Sequence, residues 1–131
     1  MRGYIAFTPD ELAELIQDGE ISVETAFVPT RLFKAANSEL GEEESEYILS
    51  LLAADDSLSF QGEGAKFSFA LAVDLEDTQI GDELDVEVKL TSPVKFSQAD
   101  CLFVGDVDSE EGELTWYAAQ EIAIQLPGWR A

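Results

Sequence analysis

Carboxylates are the reactive side chains this sequence holds in quantity: 28 aspartates and glutamates stand against seven lysines and arginines, and there is no histidine. Paired carboxylates can do general acid and base work, and three or more converging ones can hold a hard cation. The nearest approach to a cation motif is Gly105-Asp-Val-Asp-Ser-Glu-Glu-Gly112, where Asp106, Asp108 and Glu110 alternate as the first ligands of a calcium loop do. The pattern then fails. Glycine falls one place late, and the twelfth position is Tyr117 where a bidentate glutamate is needed. In so acidic a chain such alternation arises by chance, and the stretch reads as a solvated loop. A glycosidase-type pair cannot be nominated for the same reason.

The densest acidic run is Ser38 to Glu46, with Glu42, Glu43, Glu44 and Glu46 entering a helical pattern. Its plain reading is a solvated helix start favoured by the dipole; its functional reading is a docking face for a basic partner. Trp129, near the chain end, reads as a ring tucked against the fold or as a partner anchor. Arg31 and Lys34 share one short surface, too few for an anion site without a glycine-rich loop. Cys101 lies in an apolar run with no basic neighbour in sequence, so it reads as a small core residue. Without histidine the common nucleophilic triads and the commonest zinc ligands are missing, and no phosphate loop or dinucleotide fingerprint occurs. No catalytic, cofactor or metal-ligating residue is assigned.

The charge of −21 bounds the partners. A chain this anionic is repelled by phosphate backbones and anionic lipid, which argues against direct nucleic-acid or membrane binding. Solubility, adaptation to a salty cytoplasm, or a negative surface for a basic protein remain, with DNA mimicry as a special case of the last. The apolar fraction of 46% and the 131-residue length suit one folded domain with a real core. One cysteine excludes an internal disulfide, the start has no signal-peptide pattern, and no apolar run reaches a membrane span. The expected location is cytoplasmic.

Hydrophobic periodicity sets the elements that must place these residues. Phe67, Phe69, Leu71, Val73 and Leu75 fall at every second position, and so do Leu84, Val86, Val88 and Leu90. Side chains alternate across a strand, so each run presents one apolar face. A polar connection over 77–82, with Gly81 free to take a positive φ, makes them two adjacent antiparallel strands at the middle of the sheet. Ser68, Ala70 and Ala72 on the second face of the first run suit close cover by a helix.

Around this pair, Tyr4–Phe7 reads as an opening strand and Thr8 as the cap of a helix, with Pro9 at its first position and Glu11 completing a capping box. Leu12, Leu15 and Ile16 form that helix's buried face and Gly19 its stop. Thr25–Val28 is a second strand, closed by Pro29, and Thr30 caps a short helix to Ala36. Tyr47, Leu51 and Ala54 form the stripe of the acidic helix, with Ile48 and Leu52 beside it and Asp55-Asp56-Ser57 as its end. Pro93 breaks the sheet, and Val94–Gln98 make a short turn or helical loop. Ala99–Val104 form a strand buried on both faces, and Leu114–Tyr117 the last strand. Ala118–Gln125 fits a helix better than more strand, stopped by Leu126-Pro-Gly128.

Several of these stretches occur together in a known order. Met1-Arg-Gly-Tyr-Ile-Ala, Thr25-Ala-Phe-Val-Pro-Thr30, the helix from Glu42 to Ala54, the turn and strand from Pro93 to Val104, and Leu114-Thr-Trp-Tyr-Ala-Ala-Gln-Glu-Ile122 resemble a family of small uncharacterised actinobacterial proteins, a domain of unknown function. Gly3 departs from that pattern, where a strand-forming residue is expected. The resemblance implies a compact cytoplasmic domain and no site residue.

The expectation is a single α+β domain over residues 1–131, a mainly antiparallel sheet of about five or six strands with helices covering one face. The function expected is a non-enzymatic interaction or regulatory protein docking a basic protein surface, with Glu42, Glu43, Glu44, Glu46 and Trp129 as candidate docking residues. The alternative is a carboxylate-based enzyme or a divalent-metal, calcium-type binding protein.

Overall fold

The computed structural model describes residues 1–109 and 113–130. They form the expected α+β domain. Strands β1 (Arg2–Ala6), β3 (Thr25–Phe27), β4 (Phe67–Asp74), β5 (Ile80–Leu84), β6 (Glu87–Leu90), β8 (Ala99–Asp106) and β9 (Leu114–Ala118) make one sheet, and β2 (Glu20–Ile21) and β7 (Val94–Lys95) a small second one. The large sheet has the order β5-β6-β3-β1-β4-β8-β9 and is antiparallel throughout. Its seven strands exceed the five or six expected because the second half of the supposed central pair is itself a hairpin.

That pair is the main correction. β4 is an interior strand, but the middle of the seven is β1, and the neighbours of β4 are β1 and β8. Leu84–Leu90 is not one strand: Asp85 takes φ 61° and reverses the chain, so that Leu84 pairs with Glu87. Aspartate tolerates this left-handed conformation better than most residues, and a two-residue hairpin turn demands it. The period-two alternation runs straight through such a turn, so periodicity alone could not reveal the break. Gly81 has no positive φ; its hydrogen makes room for the Lys89 carbonyl, which an added Cβ would approach to 3.1 Å.

Helices cover both faces rather than one. On the first, α1 (Pro9–Asp18) and α4 (Ile122–Arg130) bring Leu12, Leu15, Ile122 and Leu126 against Ile5, Phe69, Leu71, Val73 and Leu102. Thr8 caps α1 through the expected capping box with Glu11, and Gly19 ends it at φ 79°. On the other face, α2 (Arg31–Ala36), capped by Thr30 as expected, and α3 (Glu42–Gln61) lie over Tyr4, Phe27, Ala70, Ala72 and Cys101.

Small residues set the approach of α3. It buries Leu49, Ser50, Ala53, Ala54 and Ser57, whereas Tyr47 of the expected stripe stays exposed and Leu51 is half-buried. A helix packed on the alanine face of β4 comes closest with its own alanines and serines inward. Nor do Asp55-Asp56-Ser57 end it. The Ser57 hydroxyl is buried on the Phe7 carbonyl and the Phe69 N–H, and the helix continues for another turn. α4 likewise runs through Pro127 and Gly128. Its last turn seats Trp129 edge-on against Phe69 at 5.3 Å and Tyr117 at 5.2 Å, contacts that offset the hydrogen bond proline removes.

Candidate functional site

The start of α3 collects the acidic candidates. Gly41 caps the helix by its backbone alone, and Glu42, Glu43 and Glu44 occupy the first turn at the positive end of the dipole. All three are exposed, while Leu49, one turn on, anchors the helix to the sheet. Glu46 turns toward β1, its carboxylate 3.8 Å from Arg2 Nε. Beside the glutamates opens a shallow apolar hollow of about 390 Å³ between Leu40, Glu43, Glu44, Tyr47 and Ile48. Tyr47 is 51% exposed there. A second hollow, of about 380 Å³, lies across Leu40, where Glu42 and Glu46 meet Arg2, Tyr4 and Lys34. Trp129 is not part of this surface. Its ring packs on the opposite layer, and its open side faces a hollow with Thr8, Asp10, Phe60 and Arg130.

Cys101 gains in three dimensions the basic neighbour it lacks in sequence. Arg2 Nη2 lies 3.5 Å from its Sγ, while Nη1 bonds Asp100 at 2.5 Å and Nε donates to the Tyr4 hydroxyl at 3.1 Å. Burial pushes the Cys101 thiol above its ordinary pKa despite the pull of Arg2. Burial also works against the Arg2 charge, but the Tyr4 and Asp100 bonds hold its pKa raised. The thiol therefore stays protonated and enclosed, unlike a nucleophilic cysteine. The cluster ties β1 to β8.

A cleft of about 410 Å³ runs between the end of β1, the start of α1, residues 22–25 and the end of α3. Ile5, Val23, Phe27 and Phe60 give it apolar walls; Glu11, Glu24, Asp56 and Glu87 line its rim. Two of these carboxylates are already engaged, Glu11 in the α1 capping box and Glu87 with the Thr25 hydroxyl at 2.8 Å. Burial raises the Asp56 pKa, and the charge of Asp55 adds to it. Among the described residues no group of three or more histidine, cysteine or carboxylate side chains is placed to hold a metal ion. In the calcium-like stretch, Asp106 accepts from the Asp108 N–H at 2.9 Å; Glu110 lies outside the described residues. Arg31 and Lys34 enter no ion pair among the described residues, where the only cations so used are Arg2 and Arg130.

Neither Phe60 nor the Asp56 cleft was signalled by sequence. Both follow from the extra turn of α3, which the aspartate pair conceals.

A family model described as a family of unknown function, DUF6912, matches residues 1–112. The chain belongs to that family. The matched residues stop short of β9 and α4, so the resemblance carried by Leu114–Ile122 lies beyond them. No curated protein and no solved structure matches the chain.

Proposed function

We propose that this member of a family of unknown function is a non-enzymatic interaction protein that docks a basic protein surface through the start of α3. The observation that carries this reading is the apolar hollow framed by glutamates, with Tyr47 half-exposed beside Glu43 and Glu44. Solvation alone explains the glutamates but gives no reason for an open tyrosine and leucine among them. A lysine- or arginine-rich surface with an apolar projection is its complement: the charges steer the encounter, and the hollow fixes the register. The excess of carboxylates over the whole chain strengthens the steering. The reading goes with a cytoplasmic location, in which a lone cysteine stays reduced.

Affinity capture from the native cell extract tests it. A basic partner is expected to be retained at low salt, to fall off by about tenfold or more as salt rises toward roughly 0.5 M, and to be lost with Glu42→Lys/Glu43→Lys/Glu44→Lys. A partner indifferent both to salt and to the triple substitution would sink the reading. The competing reading, a carboxylate enzyme or divalent-cation site, has the cleft at Asp56 in its favour, where burial raises the carboxyl pKa.

A further inference from the structure

The two edges of the large sheet are built differently. At one end β5 carries Asp82 and Glu83, and its ladder with β6 shifts register between Ile80 and Glu83. Charges and bulges are what proteins use to keep an edge from pairing with another chain. At the other end β9 reads Leu-Thr-Trp-Tyr-Ala, five residues without charge, proline or bulge, in unbroken register with β8 from Gly105–Leu114 to Cys101–Ala118. Among the described residues no backbone hydrogen bond outside that ladder involves Leu114–Ala118.

Its surroundings are also open. Leu114 and Trp116 share the face that α3 covers only in part, and Trp116 is 57% exposed. Beside β9, Leu51 and Leu58 of α3 leave a groove of about 210 Å³ against Val107 and Leu114. Glu113 is exposed at the start of the strand, and Glu121 follows its end. From Phe96 to Trp129 the sequence holds seven carboxylates and no lysine or arginine.

We infer that the outer edge of β9 accepts an extended, lysine- or arginine-bearing segment of a partner protein as an eighth strand. Main-chain bonds to β9 would supply affinity, an apolar side chain against Trp116 would set register, and basic residues near the segment's ends would meet Glu113 and Glu121. A second copy of the chain fits worse. Two-fold pairing of β9 with itself, centred on Trp116, sets Glu113 of one copy opposite Ala119 of the other, two residues from Glu121, between bodies each carrying −21. This surface is separate from the start of α3 and does not depend on the reading given above.

The test is amide hydrogen exchange of the full chain with a peptide of alternating lysine and valine as long as β9. Amides of 114–118 should slow by about tenfold at saturation, with those of 42–48 unchanged. A control peptide N-methylated on its pairing edge, or the exposed-site variant Trp116→Glu, should remove the effect while thermal unfolding shows the variant folded. The inference is overturned if the N-methylated peptide protects equally, if protection falls at 42–48 instead, or if 114–118 show none. Protection that grows with protein concentration without peptide would also overturn it, assigning the edge to a second copy.

Discussion

Ser57 and Asp56 show how much of this protein is decided by single side chains. The Ser57 hydroxyl, fully buried, donates to the Phe7 carbonyl at 2.7 Å and accepts from the Phe69 N–H at 2.9 Å and the Gln61 amide at 3.1 Å. One oxygen thus satisfies backbone groups at the end of β1 and the start of β4, where no ladder reaches them. Its neighbour Asp56 faces the cleft instead. Burial and Asp55 raise its folded-state pKa, so ionising it costs stability. Below the ordinary carboxyl range both folded and unfolded chains hold the proton and the cost is nil. It accrues as pH rises from the unfolded value through the raised folded one. Asp56→Asn should therefore be more stable than the native chain at pH 7, by more than the exposed Asp82→Asn is. The difference should vanish near about pH 3, as read by urea unfolding across pH. Gly3, where sequence asks for a strand former, has a spatial reason of its own. A Cβ there would meet Leu75 Cδ1 at 2.8 Å and Val28 Cγ1 at 3.3 Å.

At the scale of elements, α3 concentrates both the function proposed and the failures of sequence reading. Its cap is Gly41, whose backbone is extended at φ −75° and which has no side chain to bond the first turn, while Glu44 already stands at the third helical position. Gly41→Ser would complete a capping box, and an added Cβ meets nothing nearer than a Glu44 oxygen at 4.0 Å. The expected gain is roughly 0.5 kcal/mol in urea unfolding, with the α3 amides exchanging more slowly. An unchanged or lower stability would show that the first turn is not arranged as described. α1 was legible in full, since Thr8, Pro9, Glu11 and Gly19 are local signals that act through neighbouring backbone. The far end of α3 was not. Asp55-Asp56 mimics a stop, and what carries the helix onward is the bond from Ser57 to Phe7, fifty residues away in the chain.

At the scale of the molecule, charge opposes compactness. With 28 carboxylates against seven basic side chains, and two of these cations in the ion pairs found among the described residues, self-repulsion is large and screened by salt. The melting temperature should rise by about 5 °C or more between roughly 20 mM and roughly 500 mM sodium chloride, measured by circular dichroism. A melting temperature flat across that range would mean that the acidic groups are spaced too widely to repel. The same repulsion disfavours self-association, which agrees with the basic partner proposed above. By itself the sequence determined the fold class, the caps of α1 and α2, the interior strand β4 with its large and small faces, and the acidic helix start. These rest on contacts between near neighbours in the chain or on alternation along a single strand. Only the tertiary structure decided that Leu84–Leu90 is a hairpin and that α3 turns its small residues inward. It also decided that Arg2 stands beside Cys101 and that β9 is left at an open edge. Each of those depends on which distant segment fills the space alongside, and no local pattern encodes that.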